Sequence, residues 1–262
     1  MSKTIVITSG KGGVGKTTVS AFLGAKLAQH GKRTVICDLD FGLNNLDIVM
    51  GCEKQVQYDL SDVLEGRCRA TQALVESKSV KNLFMISSEH TTVGKNINAH
   101  RLNELFEGLQ GAFDYILLDC PAGIDIGFHR AISCSQEALV VTTASLSALR
   151  DADKVLSVLR SYVQDKIGLV INLARGDLML EGECLTIEQM QSLLRTKVVG
   201  VIPQDDLILR SKNCYLPESS SAGEAFKKLS ESILSNKIKL YDPMQKYIGF
   251  WGSIKRGLKG KL

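Results

Sequence analysis

No apolar run in the 262 residues is long enough to cross a bilayer as a helix. The chain enters a β-branched stretch, Thr4-Ile5-Val6-Ile7-Thr8, almost at once, so no secretory leader is expected ahead of it. The seven cysteines are odd in number, scattered and without C-x-x-C spacing, and the expectation is reduced thiols in a cytoplasm rather than a disulfide framework. The four histidines show no ligand spacing, so no zinc site is expected. Internal repeats and low-complexity segments are missing as well. The body also lacks an excess of positive charge. The net charge is +4, and the stretch from Lys246 onward alone holds five basic residues and no acid. The remainder is close to neutral, which argues against a nucleic-acid partner for the body.

What is present is an alternation of strand and helix patterns. Apolar runs at Thr34–Asp38, Leu83–Ile86, Tyr115–Asp119, Ala138–Thr142, Ile167–Asn172 and Val198–Ile202 read as strands. Helical spacing appears at Thr17–His30, Leu102–Leu109, Ser147–Val163, Thr186–Arg195 and Ser219–Leu234. Near-continuous apolar strands imply burial on both faces. The fold class is therefore α/β, a doubly wound, mostly parallel sheet with helices on both faces, plus a C-terminal amphipathic helix. The expected divisions are residues 1–236 as the main domain, 237–245 as a linker and 246–262 as the terminal helix. Ligands in such sheets sit at the carboxyl ends of the strands.

One such end carries Gly10-Lys11-Gly12-Gly13-Val14-Gly15-Lys16-Thr17-Thr18, between the first strand and a helix. This fits the P-loop pattern. Its glycines let backbone N–H groups face phosphate oxygens, and the helix N-terminus adds its dipole. Lys16 is placed to reach the β- and γ-phosphates, and Thr17 to ligate Mg²⁺. Asp38 and Asp119 also end strands, and a carboxylate at the position of Asp119 can hold Mg²⁺ through water.

Lys11 is not required by the general P-loop pattern. Lys-Gly-Gly-Val-Gly-Lys-Thr-Thr resembles the deviant Walker A motif of the MinD/ParA class of ATPases. Further resemblance lies in Asp38-Leu39-Asp40-Phe41-Gly42-Leu43-Asn44-Asn45-Leu46-Asp47, in Tyr58–Gly66 and in Asp119-Cys-Pro-Ala-Gly123. The resemblance implies an ATP- and Mg²⁺-dependent ATPase in which Lys11 crosses an ATP-bound homodimer interface. It implies that Asp40 orients the attacking water, that Asp38 and Asp119 serve the metal, and that Gly123 lies near the γ-phosphate. Asn172 and Pro203 would hold the adenine. Within the class the chain looks most like the cell-division branch. That branch would bring a MinC-type inhibitor to the membrane and have its hydrolysis stimulated by a MinE-type or other topological activator. Two departures stand out: Asn44, where arginine is common, and Thr143-Ala144-Ser145, where Pro-Glu is usual. Both bear on partner contacts, as does the segment Ser147–Asp153.

The tail is the second signal. Tyr247, Phe250, Trp251, Ile254, Leu258 and Leu262 recur at helical spacing, with Lys255, Arg256, Lys259 and Lys261 on or beside the opposite face. Such a helix lies in a membrane interface and offers its cations to anionic lipids. The expected location is cytoplasmic, reversibly peripheral on the inner face of the cell membrane. The alternatives are a flagellar-number ATPase of the same class or a ParA-type DNA-segregation ATPase. The first usually has an N-terminal extension, and the second needs a basic body and no aromatic tail.

Overall fold

The computed structural model describes residues 2–41, 45–88, 98–162 and 166–249. The first half of the chain contains β1 (Lys3–Thr8), α1 (Lys16–Gln29), β2 (Thr34–Asp38), α2 (Leu46–Met50), α3 (Leu60–Leu64) and α4 (Ala70–Ala73). It continues through β3 (Val75–Glu76), β4 (Leu83–Ile86), α5 (Ala99–Gln110), β5 (Tyr115–Asp119) and α6 (Ile126–Ser133). The second half adds β6 (Glu137–Thr142), α7 (Leu146–Leu159), β7 (Ile167–Ala174) and α8 (Gly176–Glu181). It closes with α9 (Ile187–Leu194), β8 (Val198–Pro203), α10 (Asp206–Arg210) and α11 (Ser221–Ser235).

The strands form one eight-stranded sheet in the order β3-β4-β2-β5-β1-β6-β7-β8. All pairings are parallel except β3 with β4 at one edge. The doubly wound sheet expected from the apolar runs is thus observed. Side chains of the central strands are buried on both faces. Val6, Ile116, Leu118 and Val140 join the core beneath α5, α6, α7 and α9. Ile5, Ile7, Ile36 and Leu117 join the core beneath α1, α2 and α11. Alternation of side chains along each strand divides these residues between the two layers. Phe22 of α1 stacks on Phe226 of α11, with ring centroids 5.2 Å apart.

Chain order places β1 between β5 and β6, next to the point where the winding reverses. The loop after β1 therefore opens at a crevice beyond the strand ends.

Within the expected linker at 237–245, residues 237–240 are exposed, while Tyr241 and Pro243 are buried against the body. Tyr241 and Tyr247 are buried, and Lys228 Nζ lies 5.8 Å from the Tyr241 ring centre. Gly176, the first residue of α8, allows this close approach: a Cβ there would stand 1.9 Å from the Pro243 carbonyl oxygen. Tyr247, expected on the apolar face of the tail, belongs to this docked strap. Phe250, Trp251, Ile254, Lys255, Arg256, Leu258 and Lys259 lie outside the described residues, as does Asn44.

Candidate functional site

Four elements converge on the crevice. The loop after β1 supplies residues 9–15, α1 begins with Lys16, and β2 and β5 end side by side on Asp38 and Asp119, paired in register. A cavity of about 520 Å³ is lined by Lys11, Gly12, Lys16, Thr17, Asp40 and Pro121, among others.

The loop is shaped as a donor cradle. Gly13 and Gly15 adopt φ values of +79° and +85°, in the region that an L side chain rarely enters. Among the described residues, no backbone N–H from Gly12 to Thr18 donates to a protein acceptor. Seven amides at or beside a helix start, bordering an open cavity, form an anion site. Gly10 lets the loop lie against α7, because a Cβ there would stand 2.2 Å from the Asp151 carbonyl oxygen.

Beneath the cradle lies a buried charge cluster. Lys16 Nζ is 3.6 Å from Asp119 Oδ1, with both side chains almost fully enclosed. Ser20 Oγ donates to the same carboxylate oxygen at 2.9 Å, and the Thr17 side chain is close enough to favour the charged form of this carboxylate. Asp119 Oδ2 is buried and has no protein partner. Asp38 Oδ1 accepts from the Asp40 N–H at 2.8 Å. Burial pushes the Asp38 carboxyl well above the ordinary range, and the neighbouring Asp119 adds to that. Burial also raises Asp119, while Lys16, Thr17 and Ser20 oppose it.

A carboxylate oxygen without a partner, a second carboxylate alongside and a nearby hydroxyl make a set of hard oxygen donors. That set suits Mg²⁺, which keeps waters and phosphate oxygens for its remaining positions. No group of three or more His, Cys, Asp and Glu side chains able to hold a metal occurs among the described residues. A metal here would therefore be shared with phosphate rather than caged by protein.

The sequence-derived site is largely assembled. Gly10 to Thr18, Asp38, Asp40 and Asp119 come together. Lys11 is exposed at the rim, its Nζ 3.3 Å from Ser147 Oγ at the start of α7. Gly123 is nearby, but its N–H donates to the Ser9 carbonyl at 2.9 Å and does not face the cradle. Pro203 ends β8, paired with Ala174. Asn172 is buried, and its amide is engaged by the loop itself: Nδ2 donates to the Val14 carbonyl at 2.8 Å. Ser20 was missed by the sequence reading. The available signal was a serine one turn after Lys16, which puts both on one helix face.

A family model described as an AAA domain matches residues 2–171. The chain is 39% identical to the septum site-determining protein MinD of Synechocystis sp., over 99% of this chain and 100% of the relative. It superposes on the MinC:MinD cell division protein complex of Aquifex aeolicus with a TM-score of 0.84 and 34% identity, covering 91% of this chain and 98% of that one. The septum site-determining protein MinD of Pyrococcus horikoshii OT3, complexed with Mg-ADP, gives a TM-score of 0.79 at 30% identity, covering 89% and 96%. With the cradle, the paired carboxylates and both lysines in place, the chain belongs to the MinD family of P-loop ATPases.

Proposed function

We propose that the protein is an ATP-driven membrane switch that helps to place the cell-division site. The observation that carries this reading is Lys11. It shares one cavity with the donor cradle and is exposed at the rim. Exposed apolar side chains lie beside site residues in the chain: Ile124 and Ile126 flank Asp125, which lines the cavity, and Leu146 precedes Ser147, which meets Lys11. A cation and an apolar rim beside a nucleotide mouth suit a second copy docking face to face.

In this reading Mg-ATP occupies the cradle. Lys16 holds the β- and γ-phosphates, while Thr17, Asp38 and Asp119 serve Mg²⁺. Asp40 orients the attacking water. Lys11 neutralises phosphates across the dimer. Pro203 packs on the adenine, and Asn172 offers the base its Oδ1. Gly123 reaches the γ-phosphate after its N–H leaves Ser9. The dimer recruits a MinC-type inhibitor, the partner of MinD in the Aquifex aeolicus MinC:MinD complex. A MinE-type or other topological activator stimulates hydrolysis, with the surface at Ser147–Asp153 available to it.

Membrane binding rests on the aromatic and basic sequence after Tyr247. One short anchor binds marginally, and pairing two raises their effective concentration at the surface. ATP-dependent dimerisation then becomes ATP-dependent membrane residence. Co-sedimentation with anionic liposomes tests this: the protein should pellet with ATP and stay in solution with ADP. Trp251→Glu should stay in solution in both while still binding ATP. Equal pelleting in ATP and ADP defeats the switch. A salt-sensitive DNA shift without liposome binding would favour a DNA-segregation role.

A further inference from the structure

The carbonyl of Val14 and the N–H of Gly15 belong to one peptide unit. The described chain has no cis peptide, so these two groups point in opposite directions. Asn172 Nδ2 takes the carbonyl at 2.8 Å from the β7 side. The Gly15 N–H is thereby turned away from Asn172, and it has no protein acceptor. The fit is close: a Cβ on Gly15 would stand 2.3 Å from that same Nδ2. Because Val14 offers only an acceptor, the orientation of the Asn172 amide is set, with its nitrogen on the loop. Asn172 is 3% exposed and Val14 4%, so the bond is shielded from competing water.

We infer that Asn172 is a positioning residue for phosphate binding: through Val14 it holds the Gly15 N–H toward the triphosphate. This is distinct from a contact with the base, because it acts on the phosphate end of the nucleotide. β7 and the loop after β1 thus form one unit. Without the amide, the Val14–Gly15 peptide can rotate, and the cradle loses a prearranged donor.

The test separates phosphate from base. Calorimetric titration of Asn172→Ala and Asn172→Asp with Mg-ATP and with Mg-tripolyphosphate, which has no base, reads the two ends independently. Both variants should lose about tenfold or more affinity for both ligands, the scale of one buried hydrogen bond to a carbonyl. The aspartate variant should fare no better than the alanine one, since it keeps the shape but sets an acceptor against an acceptor. Lost affinity for ATP with unchanged tripolyphosphate binding would overturn the inference and leave only a base contact. A variant-free measurement guards against misfolding. In the wild-type protein with tripolyphosphate bound, NMR should detect scalar coupling across the hydrogen bond from Asn172 Nδ2 to the Val14 carbonyl carbon. Its absence from an otherwise assigned spectrum would also overturn the inference.

Discussion

Asp38 and Asp119 stand side by side in register at the ends of β2 and β5, and Lys16 Nζ lies 3.6 Å from the second of them. Two buried carboxylates share one close cation. The pair is an electrostatic cost in the protein alone and an asset once a divalent ion arrives.

The first prediction concerns pH. Folding raises the Asp38 carboxyl above its ordinary value of 3.8. A carboxyl raised in this way makes its full contribution to stability below the ordinary value and loses it as pH rises through the raised one. Asp38→Asn removes that loss. In the nucleotide-free protein the Tm of the variant should gain on the wild type as pH rises above 3.8, until Asp38 is fully ionised in the folded protein. A constant gap across that range would show that Asp38 is not the strained member. Mg-ATP should stabilise the variant less than the wild type.

Asp40 is half-buried at the cavity wall, and its backbone rather than its side chain is tied to Asp38. Asp40→Ala should therefore keep its affinity for ATP while stimulated turnover falls about a hundredfold, the scale for a misplaced reactant. Steady-state turnover alongside equilibrium binding checks this. Wild-type turnover in the variant would move the water-positioning role to Asp38.

Lys11 is exposed and meets Ser147 Oγ at 3.3 Å. Its loss should change monomer stability by no more than about 0.5 kcal/mol. The same substitution, Lys11→Ala, should abolish the ATP-dependent dimer in light scattering, because opposed triphosphates would lose their neutralising cations. A dimer as tight as the wild type's would remove the cross-subunit role.

Gly176→Ala tests the docked strap. The added Cβ would stand 1.9 Å from the Pro243 carbonyl oxygen, so the strap backbone must shift. The expected cost is about 1–3 kcal/mol, with faster proteolysis between residues 237 and 247 and unchanged ATP affinity. If cleavage rates match the wild type, the strap does not depend on this approach.

Much of the site was legible because local chemistry dictates it. Glycines at Gly13 and Gly15 permit the left-handed backbone, Lys16 follows at the helix start, and apolar strands end on Asp38 and Asp119. Each signal lies within a few consecutive residues. The contacts that escaped the sequence reading join distant ones. Ser20 meets Asp119 only because α1 crosses β5, and Asn172 meets Val14 only because β7 ends beside the loop. The strap was read as a linker because Pro243 and the polar residues around it look like one. Its burial depends on a glycine at Gly176, far away in sequence.

By itself, the sequence determined the strand and helix periodicities, the loop that can face phosphate and the strand ends where a metal can sit. Backbone conformation and hydrophobic burial follow local residue type, and these are local properties. Only the tertiary structure decided which carboxylate Lys16 approaches, that the Gly123 N–H faces Ser9, that Asn172 grips the loop and that Tyr247 is held against the body. Hydrogen bonds and ion pairs act over a few ångströms, and it is the packing of the sheet that brings these residues within that range.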